Sequence, residues 1–163
     1  MRIKTGYLQR ITITLLVLGL FILPPLNLSM AEQGKSIAIN LATYPMAFDP
    51  HTALYDSEKI LLANLHEGLV VWDQEVLVPG VAAKWVISSD GKTYTFHLKD
   101  AYWSNGDQIT AYDFELSWKR LLTTESSSRL LLDVIKNVAL YRTGRNTNLG
   151  EIGVKALDKK VLQ

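Results

Sequence analysis

Apolar and polar positions run along this chain with two periods, and the switches between them mark its elements. In "KSIAINLA" (Lys35–Ala42), Ile37, Ile39 and Leu41 alternate with small or polar neighbours, which predicts a strand. "TYPMAFDPHTALYDS" (Thr43–Ser57) carries two prolines and several turn formers and reads as a long ordered loop. Ser57 is placed as an N-cap for a helix through Ile60, Leu61 and Leu65 that Gly68 ends. Beyond it, "GLVVWDQEVLVPGVAAKW" predicts a short hairpin around Asp73-Gln74-Glu75, then a helical turn after Pro79. "WVISSDGKTYTFHL" is the clearest element, because two runs flank Asp90-Gly91 and Tyr94, Phe96 and Leu98 alternate with Thr93, Thr95 and His97.

"WSNGDQITAYDFELSWKRLL" (Trp103–Leu122) follows with a turn at Asn105-Gly106 and a helix start at Thr110. Asp113 stands three residues later, where a capping box places an acid or amide. Phe114, Trp118, Leu121 and Leu122 then recur as one helical stripe. "SSSRLLLDVIKNVALYR" reads as a further helix, "TGRNTNLGEIG" as a polar loop, and "VKALDKKVLQ" as the opening of a hairpin. Helices interspersed with antiparallel hairpins make an α+β chain.

The amino terminus breaks these patterns. Arg2, Lys4 and Arg10 precede thirteen uncharged residues, Ile11–Leu23, then Pro24-Pro25 and the small-x-small triplet Ser29-Met30-Ala31. That order is a signal peptide over residues 1–31, cleaved between Ala31 and Glu32. The alternative, an uncleaved anchor, needs about 20 apolar residues, a length reached only by including both prolines and Asn27. Residues 1–31 carry three cations and no acid, so cleavage takes the formal net charge from +1 to −2. Neither value directs the chain to nucleic acid. Cysteine is absent, which excludes disulfides, thiolate metal sites, a cysteine nucleophile and a lipoprotein anchor.

Candidate chemistry is thin. His51, His66 and His97 lack the spacing of zinc ligands. Asp49, Asp56 and Glu58 gather near one loop, where turn capping accounts for them better than acid–base work. Gly144 and Gly150 lack phosphate-loop spacing, and Ser126-Ser127-Ser128 has no partner motif carrying a base. Trp72, Trp85, Trp103 and Trp118 read as core aromatics rather than a ligand platform. Binding is better supported than catalysis.

Four blocks then carry a resemblance: "FDPH" (Phe48–His51), "NLHEGLVVWD" (Asn64–Asp73), the run from Val78 to Leu122, and "GVKALD" (Gly153–Asp158). In this order they resemble the amino-terminal third of bacterial extracellular solute-binding proteins of family 5, the oligopeptide- and dipeptide-binding group. The resemblance spans about residues 36–162, with His66 in place of the usual aromatic and Asn105 in place of the usual Asp. It implies an incomplete periplasmic-binding-protein-like fold with a missing second lobe. Residues 32–65 would supply a strand, loop and helix of the first lobe, and residues 66–163 a small α+β domain ending inside a hairpin at Gln163.

The function so implied is that of a periplasmic receptor delivering oligopeptides to the permease subunits of an ABC importer. It would be a monomer, with no enzyme activity, metal, cofactor or nucleic-acid partner. Leu54, Tyr55 and Asp56, just after the Asp49-Pro50-His51 motif, would face the ligand cleft, while the strongest peptide anchors would lie in the second lobe. The segment around Asn105-Gly106 and Thr110–Asp113 would be scaffold. The competing expectation is a truncated, non-transporting remnant or an interaction module.

Overall fold

The computed structural model describes residues 38–163, of which Asn40–Gln163 form one compact unit. The signal segment and its Ala31/Glu32 junction lie outside the described residues, as do Lys35–Ile37 of the first expected strand. Residues 38–42 of that segment carry no strand.

The loop that follows is ordered, as its composition suggests, and runs into helix α1 (Asp56–Leu65). The cap differs from expectation. Tyr55 is the N-cap, and Ser57 lies buried inside the first turn, where its hydroxyl accepts from Thr43 Oγ1 at 3.0 Å. The carboxylate of Glu58 takes the Leu54 and Tyr55 N–H groups, so the entry turn closes two residues before the serine. The helix ends at His66, whose N–H donates to Leu62 O, rather than at Gly68.

Strands β1 (Val70–Asp73) and β2 (Val76–Pro79) form the expected hairpin, with Asp73 paired to Val76 across Gln74-Glu75. Both turn residues have positive φ, 45° and 71°, the left-handed pair that matches strand twist in a two-residue turn. No helical turn follows Pro79. Val81 N–H donates to Gly68 O, and the Gly80 and Ala82 N–H groups donate to Leu69 O, so the chain enters β3 (Ala82–Ile87). A Cβ on Gly80 would stand 2.4 Å from Gly68 O, which leaves only glycine at that crossing.

Strand β4 (Tyr94–Leu98) returns beside β3, with Trp85 opposite Phe96 and Gly91 at φ +71° in the turn. Helix α2 (Ala111–Thr123) starts where the sequence placed it: Asp113 accepts from the Thr110 N–H at 2.7 Å and from its hydroxyl at 2.8 Å. The long helix expected after Ser126 is instead broken. A 3₁₀ turn covers Ser127–Leu132 and helix α3 only Val138–Arg142. Asn137 between them is left-handed, φ 66°, and its Nδ2 donates to Glu151 O. That bond fastens the polar loop to the break and outweighs the helical periodicity.

The carboxyl-terminal hairpin is closed, with Lys155 and Gln163 exchanging both backbone bonds. Its second arm, β5 (Val161–Leu162), adds to β4, giving the sheet order β3-β4-β5. The core lies between this sheet, α2 and α3, around Val81, Leu98, Leu122, Val138, Val154 and Leu162. Phe114 and Trp118 pack onto it from α2, whereas Trp72 on the β1–β2 hairpin is 70% exposed, contrary to the core role expected of it.

Candidate functional site

The ligand-facing residues expected from the sequence sit at the end of the 43–55 loop, and two side chains decide where that loop lies. Glu58 is 2% exposed and accepts four backbone N–H groups. Its Oε1 takes Met46 and Ala47, at 3.0 and 2.9 Å, and its Oε2 takes Leu54 and Tyr55, at 2.7 and 3.1 Å. The Tyr55 and Leu54 donors lead in holding its pKa below the usual carboxylate range, against the cost of burial. One acid on α1 therefore ties both ends of the loop together.

The middle of the loop is fastened to α2. Arg120 reaches Asp49 with two bonds, Nη1 to Oδ1 at 3.0 Å and Nη2 to Oδ2 at 2.5 Å. The same guanidinium approaches His51 Nδ1, and His51 Nε2 meets Ser117 Oγ at 3.0 Å. The Arg120 bond, then the His51 N–H bond, holds Asp49 well below the usual carboxylate range. Burial and the Arg120 charge depress His51, and Asp49 opposes them only in part.

Asp49, His51 and Ser117 have the residue types of a hydrolytic triad but not its wiring. Guanidinium only donates, so the Arg120 contact assigns the lone pair to His51 Nδ1 and the proton to Nε2, facing Ser117. A base already protonated toward the hydroxyl cannot take its proton. The cluster holds the loop. The expected capping role of Asp49 and Glu58 is what the structure shows, while Asp56 is exposed and pairs at 3.5 Å with Lys59.

Thus anchored, the loop turns Leu54 and Tyr55 outward, 58% and 55% exposed. Leu54 and Thr52 line an open groove of about 640 Å³ together with Glu125, Ser126, Arg129 and Arg142. Arg142 is held by Asp133 through two bonds. Tyr55 and Asp56 lie next to the groove in sequence but are not among its lining residues. Sequence reasoning missed Ser117 and Arg120. The only signal for them was the "FDPH" block itself, whose acid and imidazole needed a partner.

The family model for bacterial extracellular solute-binding proteins, family 5 Middle, matches residues 76–163. The chain is 46% identical over 93 residues to the periplasmic oligopeptide-binding protein OppA of Haemophilus influenzae, covering 56% of this chain and 17% of that protein. It is 35% identical over 133 residues to the dipeptide-binding protein DppE of Bacillus subtilis, covering 79% of this chain and 24% of that one. The crystal structure of the Haemophilus influenzae OppA complex with RPPGFSPFR superposes with a TM-score of 0.68 at 37% identity, over 76% of this chain and 25% of that chain. The chain thus spans about a quarter or less of the length of the relatives it matches. By the matched model and these relatives, it belongs to the bacterial extracellular solute-binding proteins of family 5.

Proposed function

We propose that this chain is the amino-terminal portion of a periplasmic receptor that binds oligopeptides and presents them to the permease subunits of an ABC importer. Residues 32–65 contribute to the first lobe and residues 66–163 form a small domain beside it. The receptor acts as a monomer, without catalysis, and reaches the periplasm through cleavage between Ala31 and Glu32.

The observation that carries this reading is an exposed Leu54-Tyr55-Asp56 segment on a backbone locked by Glu58 and Arg120. A binding surface gains affinity when the protein side is already ordered, because less entropy is lost on association. An extended peptide offers N–H and C=O groups at every residue whatever its side chains, so backbone pairing suits a receptor of broad specificity. The names of the relatives support peptides as the solute class.

Hinge closure around a ligand draws contacts from two lobes, and this chain supplies residues on one side. Its own affinity for tri- to pentapeptides is therefore expected in the millimolar range or weaker, on the order of −4 kcal/mol. Titration calorimetry of the chain with such peptides tests this. Micromolar binding would give the chain a self-sufficient site and overturn the assignment of the strongest peptide anchors to the second lobe.

A second reading has its own support. Tyr44, Met46, Leu65, Trp72, Leu131 and Val134 are all exposed, and such side chains mark protein–protein contact where they join into one patch. An interaction module would form a complex through these residues and ignore peptides.

A further inference from the structure

His51 stands between an obligate donor and a hydroxyl. Arg120 brings its Nη1–H to the Nδ1 lone pair, and Ser117 Oγ lies 3.0 Å from Nε2. The ring is 11% exposed. Its backbone N–H is tied to Asp49 Oδ1 at 3.0 Å, and that same oxygen accepts from Arg120. Loop and helix thus meet at one imidazole whose neutral form alone fits both partners.

We propose that His51 is a proton-operated latch, a positioning residue that sets where the middle of the 43–55 loop, just before Leu54 and Tyr55, lies against α2. Neutral, it accepts from Arg120 and donates to Ser117, and the loop is held. Protonation puts a hydrogen on Nδ1 that faces the Arg120 N–H, so one bond between loop and helix becomes a contact of two donors and two cations. The charged groups facing the ring are Asp49 from the loop and Arg120 from α2. Asp49 Oδ1, 3.5 Å from Nδ1, is the acceptor within reach of the new proton. Imidazolium and guanidinium then compete for one carboxylate, and Arg120 loses part of its hold on the loop. Acidification therefore loosens the middle of the loop, next to Leu54 and Tyr55, whose own N–H groups Glu58 still holds.

This rests on the receptor reading only for its consequence, a loop beside the ligand-facing residues that becomes less ordered in acid. The latch itself is tested without any peptide, so its failure and that reading's failure are distinguishable. The full chain, with ¹⁵N-labelled histidine and backbone amides, is titrated by NMR from pH 8 to 5. The expected result at pH 7.5 is a neutral His51 with its proton on Nε2 and a midpoint below about 6.5. The amides of residues 51–53, which bond to Asp49, move with that same midpoint. His51→Asn, which retains an acceptor near the Nδ1 position but cannot take a proton there, abolishes the loop transition. Arg120→Gln, which removes the opposing cation, raises the His51 midpoint and gives an independent reading should the asparagine chain fail to fold. An Nδ1–H tautomer at pH 7.5, loop amides that ignore the His51 titration, a loop transition surviving in His51→Asn, or a midpoint unmoved in Arg120→Gln would each overturn the proposal.

Discussion

Arg120 and Asp49, 71 residues apart in sequence, meet in a two-bond ion pair that pins the 43–55 loop to helix α2. The pair is partly exposed, so its worth as a bare surface ion pair is small. Its value is positional, because His51 and the loop backbone share the same carboxylate. Removing the guanidinium should free the loop while leaving the sheet intact. Arg120→Ala is expected to raise amide exchange at residues 51–53 by roughly tenfold, with the β3–β4 amides unchanged. Uniform acceleration across the chain would mean that the pair holds the fold as a whole.

Trp118 lies on the stripe of α2 that packs against the core. Trp118→Ala is expected to cost about 3 kcal/mol, a large part of a stability of about 5–15 kcal/mol. Urea unfolding measures it. A loss under about 1 kcal/mol would place the indole with ordinary surface side chains.

Glu75 holds φ 71° in the β1–β2 turn without being glycine. An L-residue there costs roughly 1–2 kcal/mol, and glycine lacks the Cβ that causes the strain. Glu75→Gly is therefore expected to stabilise the chain by about 1 kcal/mol in urea unfolding, after allowance for the added freedom of the unfolded chain. A destabilised variant would show that the Glu75 side chain contributes more than its backbone strain costs.

Acid should destabilise the chain in two stages. Asp49, Glu58, Asp100 and Asp133 all have folded pKa values below their ordinary 3.8 or 4.5. A depressed acid contributes stability above its unfolded pKa and loses it as pH falls toward the folded value. His51 is depressed from 6.5 and follows the same sign, because the unfolded chain takes up the proton first. Urea midpoints should begin to fall below about pH 6.5 and fall more steeply below about pH 4.5. A chain more stable at pH 5 than at pH 7.5 would contradict the assigned neutral His51.

What the sequence disclosed was local. The Asp90-Gly91 turn and the Thr110–Asp113 capping box each settle their own geometry within a few residues, and both are present in the structure. The broken helix after Ser126 was not legible, because its apolar period is helical while Asn137 is held by Glu151 from beyond the next loop. Pro79 followed by Gly80 looked like a helix start, yet the backbone of Gly68 and Leu69 claims those N–H groups for the approach to β3. Leu54, Tyr55 and Asp56 could be named, but their anchorage could not. Nothing local in the sequence pairs residue 49 with residue 120, or shows that one glutamate takes four backbone donors.

Export is expected to remove residues 1–31. Mass spectrometry of the product from the periplasmic fraction should find Glu32 as its first residue. A chain still beginning at Met1 in the membrane fraction would favour an uncleaved anchor.

The measurement closest to the central claim is an amide NMR titration of the chain with an unlabelled tripeptide. Millimolar binding with the largest shifts at Leu54, Tyr55 and Asp56 is the expected result. Shifts centred instead on the exposed β1–β2 hairpin around Trp72, with residues 54–56 unmoved at saturation, would contradict it.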